Sequence, residues 1–255
     1  MPRSHLPPRA FKRLRKLPQA LTVDGNTYSP SIYGYGNNVT TSVWPLIIGG
    51  NAPIQEGGPS VSINQATDFK QYKGVLFNNG DYYSCSNSTI HTSLTTNDFV
   101  VECIVNPNDA LGIIFGTYDA TNGWYLQNSF STTSLRFGII DNGAGFTQLI
   151  SNSITFEQWY HVMIFLNRND EGVATAQSTF FINGVAAGNG SSNASDGDCS
   201  STIPLRLGAY AGDVSNGDIL AHVAIWNITS GLSNAVGART NWATIAATRY
   251  AKLIG

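Results

Sequence analysis

Phe180-Phe181-Ile182-Asn183-Gly184-Val185-Ala186-Ala187 places two apolar runs on either side of an Asn-Gly pair. Asn and Gly reach positive φ at low cost, and a two-residue turn built from them matches the right-handed twist of paired strands. The stretch reads as a β-hairpin. Outward from it, the same punctuation recurs at Asn79-Gly80, Asn122-Gly123, Asn142-Gly143 and Asn216-Gly217. Strand candidates fall at 74–77, 98–105, 112–117, 123–127, 134–140, 146–151, 159–167, 177–183, 203–209 and 218–227. That many short strands at such spacing predict an all-β sandwich or barrel. VVECIV (100–105) and VMIFL (162–166) are apolar at both parities, which predicts strands central in a sheet or covered on both faces. A single helix is predicted, capped by Ser233 and running to about Leu253. Its apolar stripe is Ala235, Val236, Ala238, Trp242, Ile245, Ala246, Tyr250 and Leu253.

Composition supports this reading. The 255 residues are 42 % hydrophobic, which excludes wholesale disorder. Only 12 % are charged, about half the usual ~25 %. Asn, Ser, Thr and Gly take the place of charge, as suits strands joined by polar turns. No apolar run approaches the ~20 residues that span a bilayer. Cys85, Cys103 and Cys199 share no CxxC spacing and read as buried or idle thiols.

Three regions separate along the chain: a basic, Pro-rich arm (1–20), a Gly/Pro-rich extended connector with one or two short strands (21–66), and the regular β region (67–255). Residues 1–23 hold six bases and no acid, leaving eight bases against all sixteen acids in the rest. Such a split implies a partner for the arm. Leu6, Phe11, Leu14 and Leu17 alternate with bases in a Pro-interrupted stretch, which suits a strap lying along a neighbouring protein. FKRLRK (11–16) also suits nucleic-acid phosphates, but the spaced prolines favour the strap. The partner-binding set is Arg3, Arg9, Phe11, Lys12, Arg13, Leu14, Arg15 and Lys16. No apolar stretch follows the basic start, so it does not read as a secretory signal peptide.

Six pieces in order resemble the laminin-G-like, concanavalin-A-like jelly-roll superfamily. They are Gly74 to Tyr83 (GVLFNNGDYY), Asp98 to Pro107 (DFVVECIVNP), Phe156 to Val162 (FEQWYHV), Phe180 to Val185 (FFINGV), Pro204 to Gly208 (PLRLG), and Ile219 to Asn227 followed by Leu232-Ser233. The resemblance implies an antiparallel β-sandwich jelly roll with a short C-terminal helix. Relatives of this kind include glycoside hydrolases, sugar- or surface-binding modules, some with a loop-held Ca²⁺, and bacteriophage structural proteins.

The chemistry-bearing residues favour binding over catalysis. Glycoside hydrolysis needs two facing carboxylates, and the acids here are dispersed. Asp98 and Glu102, four apart on one strand, flank a hydrophobic run and read as an edge feature. His161 follows Trp159 and Tyr160 into a strand and reads as structural. His5, His91 and His222 are isolated, without zinc-ligand spacing. Loops 117–122, 141–145 and 194–198 carry oxygen donors that leave Ca²⁺ open, although Asx-Gly loops are also plain turn chemistry. Tyr82, Tyr83, Trp124 and Tyr125, with Tyr210, are the aromatics that could stack on sugar rings.

These features set an expectation of a non-catalytic virion structural protein: a phage capsid decoration or cement protein, lattice-bound or homo-oligomeric, held on capsid proteins by its arm. It would reside in the virion, and in the host cytoplasm during assembly, with no membrane partner. The alternative is a carbohydrate- or host-surface-binding module of a phage tail or fibre.

Overall fold

The doubly apolar runs lie at the middle of a sheet. In a computed structural model, β9 (Asp98–Asn106) sits between β14 (Tyr160–Leu166) and β18 (Ile219–Ile228). The structure describes residues 17–38, 46–48, 54–57, 61–69, 71–78, 80–85, 97–108, 112–128, 133–141, 145–168, 178–190, 199–209, 215, 217–232 and 238–255.

Around β9 the larger sheet runs β16 (Val185–Gly190), β15 (Ser178–Ile182), β14, β9, β18, β3 (Ile32–Tyr35), β4 (Leu46–Ile48). The start of β18 also pairs β7 (Gly74–Leu76), which in turn pairs β6 (Ser62–Gln65). The smaller sheet runs β13 (Gly145–Ile150), β12 (Leu135–Asp141), β11 (Gly123–Asn128), β10 (Ile113–Gly116), β17 (Leu205–Leu207), β8 (Asp81–Cys85), β5 (Ile54–Gly57). β1 (Leu21–Val23) and β2 (Asn26–Tyr28) form a separate hairpin. Every pairing is antiparallel, and the architecture is a jelly-roll sandwich with one α-helix among the described residues, α1 (Ala238–Ile254). The hairpin expected at Asn183-Gly184 is present: Ile182 opposes Val185, and the two turn residues have φ of 51° and 78°.

Strand alternation divides the apolar side chains between two cores. Phe99, Val101, Cys103 and Val105 of β9 meet Trp124, Leu126, Phe137 and Leu149 of the smaller sheet between the layers. Val100, Ile104, Met163, Phe165 and Trp226 face outward from the larger sheet. A helix and an N-terminal strap cover that outer face. α1 turns Trp242, Ala246, Arg249 and Leu253 inward, and Trp242 stacks on Phe165 at 5.3 Å and 7°. Leu17, Leu21 and Val23 of the strap complete the cover. Cys85, Cys103 and Cys199 are buried, and none is in a disulfide among the described residues.

Three expectations change. First, residues 21–66 carry six short strands, not one or two, and β3, β4, β5 and β6 pair into the two main sheets. Strands of three or four residues are too short to show a periodicity of their own. Second, Asp98 and Glu102 are not an edge feature, because β9 is central. Asp98 accepts the Arg168 and Leu232 amides at 2.5 and 2.6 Å, and Glu102 is fully buried. Third, residues 17–19 of the expected arm are seated on the body. Leu17 N donates to Tyr72 Oη, Tyr33 Oη to Leu17 O, Arg249 Nη2 to Pro18 O and Trp226 Nε1 to Gln19 O, at 3.0, 2.6, 3.0 and 2.9 Å. The arm residues Arg3, Arg9, Phe11, Lys12, Arg13, Leu14, Arg15 and Lys16 lie outside the described residues.

Candidate functional site

Two constellations concentrate functional side chains: a sealed one under α1 and an open one on the outer face of the smaller sheet. The sealed one centres on Glu102. Arg249 Nε and Nη2 donate to its two carboxylate oxygens at 2.7 and 2.6 Å. His161 Nε2 lies 2.7 Å from Oε1 and His222 Nε2 lies 3.3 Å from Oε2. Burial opposes the Glu102 charge, but Arg249 and the two imidazoles overcome it and hold the carboxyl well below the usual carboxylate range. With Glu102, His161 and His222 at 0 % exposure, no substrate can reach these groups, and their chemistry is structural. Nothing in the sequence pattern marks this cluster. Its members stand at 102, 161, 222 and 249, and only strand pairing brings them together.

The open face follows from strand alternation in β8 and β17. Tyr83 and Cys85 point into the inter-sheet core, so Tyr82 and Ser84 point out. Leu205 and Leu207 likewise point in, so Arg206 points out. The Arg206 guanidinium lies 4.7 Å over the half-buried Tyr82 ring, and its buried Nε has no hydrogen-bond partner among the described residues. Register then sets Arg206 beside Gly116, Gly116 beside Tyr125 and Tyr125 beside Gly138. A Cβ on Gly138 would fall 2.4 Å from Tyr125 Cζ, so this glycine lets the ring lean across β12. Arg136 Nη2 donates to Tyr125 Oη at 2.9 Å, and Tyr118 packs at 5.5 Å. Burial raises the Tyr125 phenol above its ordinary value, against the pull of Arg136. Two arginine–tyrosine pairs thus sit on one face, about 10 Å apart at two strand spacings.

The sugar-stacking residues expected from sequence fare unequally. Tyr83 and Trp124 are corrected: both are core residues, with Trp124 packed among Phe99, Phe115 and Phe137. Tyr125 faces outward but is only 3 % exposed, closed over by its neighbours. Tyr82 remains accessible, and Tyr210 lies outside the described residues. Sequence reading missed Arg206, Arg136 and Tyr118. The signal for Arg206 was the polar position between two leucines in PLRLG.

Among the Ca²⁺ loops, 117–122 has its carboxylate fully engaged. Asp119 Oδ1 accepts the Thr121 and Asn122 amides, and Oδ2 accepts Thr202 N and Oγ1. These donors draw its pKa down to about 2 despite some desolvation. Loop 194–198 and residues 142–144 lie outside the described residues. Among the described residues no group of three or more His, Cys, Asp or Glu could hold a metal ion.

Comparison with known proteins agrees with the architecture. A family model described as the concanavalin A-like lectin/glucanases superfamily matches residues 77–231. No curated protein matches by sequence. Domain 4 of AbnA, a GH43 extracellular arabinanase from Geobacillus stearothermophilus solved with arabinotriose, superposes with a TM-score of 0.58 at 14 % identity, over 86 % of this chain and 98 % of that one. The botulinum neurotoxin serotype G binding domain superposes with a TM-score of 0.61 at 13 % identity, over 87 % of this chain and 50 % of that one. The serotype D binding domain gives 0.59 at 12 % identity, with the same coverage of both chains. The chain spans about half the length of these neurotoxin chains. At such identities the likeness is one of fold.

Proposed function

Because the chain belongs to the concanavalin A-like lectin/glucanase superfamily, we propose that it is a non-catalytic recognition module that binds a glycan on the outer face of its smaller sheet. The observation that carries the reading is Arg206 stacked on Tyr82, with a buried Nε left without an acceptor. A guanidinium is a rigid fork of donors suited to carboxylates and vicinal hydroxyls, and a tyrosine supplies a flat apolar surface beside it. Together they complement a sugar ring, which has polar edges and an apolar face. The arabinanase domain solved with arabinotriose supports the same direction. The non-catalytic part rests on the acids: Glu102 is sealed, and Asp98, Asp119 and Asp218 are each committed to internal donors.

The test is calorimetric titration and a glycan array, with arabino-oligosaccharides and acidic glycans as probes. Wild type is expected to bind one of these classes. Arg206→Ala and Tyr82→Ala are expected to weaken that binding about tenfold or more, with unchanged melting temperature. Binding by neither class, or binding indifferent to both substitutions, overturns the reading.

A second reading keeps the arm as the working part: attachment to a virion through residues 1–16, with the jelly roll displayed outward. The four hydrogen bonds on Leu17, Pro18 and Gln19 favour it, because they tie the residues that follow the basic segment firmly to the body.

A further inference from the structure

The two histidines on Glu102 are not equivalent. His222 has an oxygen facing each nitrogen: Gly34 O lies 2.8 Å from Nδ1 and Glu102 Oε2 lies 3.3 Å from Nε2. Both of its nitrogens therefore have an acceptor at hand. His161 places Nε2 on Glu102 Oε1 at 2.7 Å, but its buried Nδ1 meets no partner among the described residues. That nitrogen can stay as a bare lone pair, whereas a proton there would be a donor with no acceptor.

The surroundings add to this asymmetry. Arg249 from α1 already places a full positive charge on both Glu102 oxygens. Tyr250, also from α1, stacks on the His161 ring at 6.1 Å and 16°. β3 contributes Tyr33 and Tyr35, and Tyr72 joins them around His222. Burial raises all three of these phenols above their ordinary value, so they stay neutral. Glu102 is the one carboxylate bonded to the cluster among the described residues. The same Arg249 holds Pro18 O, which ties the strap to the helix.

We propose that His161 is an acid sensor that unlatches residues 17–23 and α1 from the larger sheet. A proton on Nδ1 sets a second cation beside Arg249 and a donor without a partner in a sealed space. Lifting the end of α1 lets water reach that nitrogen and withdraws Arg249 from Pro18. Burial, aided by Arg249 and His222, outweighs the opposing pull of Glu102 and holds the His161 pKa below the usual 6.5 while the latch is closed. In the opened form that depression is relieved. The closed form therefore binds fewer protons, is favoured above pH 6.5, and loses ground as the pH falls below it. The device acts on the sheet opposite the Tyr82–Arg206 face and is independent of the glycan reading.

The experiment is hydrogen exchange on the full chain at pH 7.5 and 5.0, with exchange times scaled to the intrinsic amide rates. Peptides covering 17–28 and 238–254 are expected to lose protection about tenfold or more at pH 5.0, while 113–127 in the smaller sheet keeps its protection. His161→Gln, which retains a donor toward Glu102 but cannot take the proton, is expected to abolish the step. His222→Gln is expected to retain it. Unchanged protection in the two segments, an equal loss at 113–127, or a step that survives in His161→Gln each overturns the proposal. If the glutamine variants do not fold, the wild-type protein still decides the matter by NMR. The His161 ring must titrate with the same midpoint as the exchange of 17–28, and a different midpoint overturns the proposal.

Discussion

Glu102 shows how far one residue can depart from its surroundings when its partners arrive from a distance. Its strand neighbours on the outer face are Val100 and Ile104, and a carboxylate there is tolerated only because Arg249, His161 and His222 converge on it. Removing one member of a buried pair leaves the other charged and unpaired, which costs more than the pair contributes. Glu102→Gln is therefore expected to destabilise the protein by about 3–5 kcal/mol in denaturant unfolding at neutral pH. A loss below about 1 kcal/mol would mean that Arg249 finds another acceptor. At this scale the sequence was least informative. The isolation of His222 in sequence is real, but it says nothing about space, and Arg249 occupies what the helical pattern treats as an ordinary gap in the stripe. Tyr83 and Trp124 failed as sugar platforms for a related reason. An aromatic ring in a strand looks the same in sequence whether its parity points to the core or to solvent, and only the register of neighbouring strands decides.

At the scale of elements, the turns and the doubly apolar strands were legible because their causes are local. Asn183 and Gly184 adopt positive φ as that pair readily does, and β9 and β14 are buried on both faces as their composition requires. The strands of 21–66 were not legible, since pairing with β7, β8 and β18 creates them. α1 lies between these cases. Its end near Leu253 and its anchors Trp242, Ala246 and Leu253 could be read, the expected cap Ser233 with Ala235 and Val236 lies outside the described residues, and Arg249 inside the stripe could not be read. Trp242 gives this element a clean test. It is fully buried on Phe165, yet its indole N–H has no partner among the described residues. Trp242→Phe gives up some packing but also removes an unsatisfied donor, so a loss of less than about 1.5 kcal/mol is expected. Trp242→Ala leaves a cavity and is expected to cost about 3–5 kcal/mol. Equal losses in the two variants, measured by chemical denaturation, would show that ring volume is not what anchors the helix.

At the scale of the molecule, the two sheets share one core, and the strap and α1 close a second core over the larger sheet. Leu17, Pro18 and Gln19, assigned to the arm from sequence, accordingly belong with the body. A chain beginning at Leu17 keeps all four hydrogen bonds to the strap, whereas one beginning at Asp24 loses Leu17, Leu21 and Val23 from the second core. At ~1.5–3 kcal/mol for each buried aliphatic side chain, the shorter chain is expected to lose more than about 4 kcal/mol in unfolding free energy. The chain beginning at Leu17 is expected to melt like the full one. If residues 1–16 are the anchor of the second reading, that chain also fails to co-sediment with undecorated capsids on which the full chain saturates. Similar melting of all three chains would place the strap outside the cooperative unit.

The bond from Arg249 to Pro18 spans 231 residues. At roughly 5–20 residues per second on the ribosome, about 10–50 s separate the synthesis of its two ends. β3 waits almost as long for β18, with its edge exposed throughout. A nascent chain halted before α1 would have made every described strand and still lack the seat for Leu17, Pro18 and Gln19, so quality control in the cell has a specific, long-lived and incomplete species to recognise.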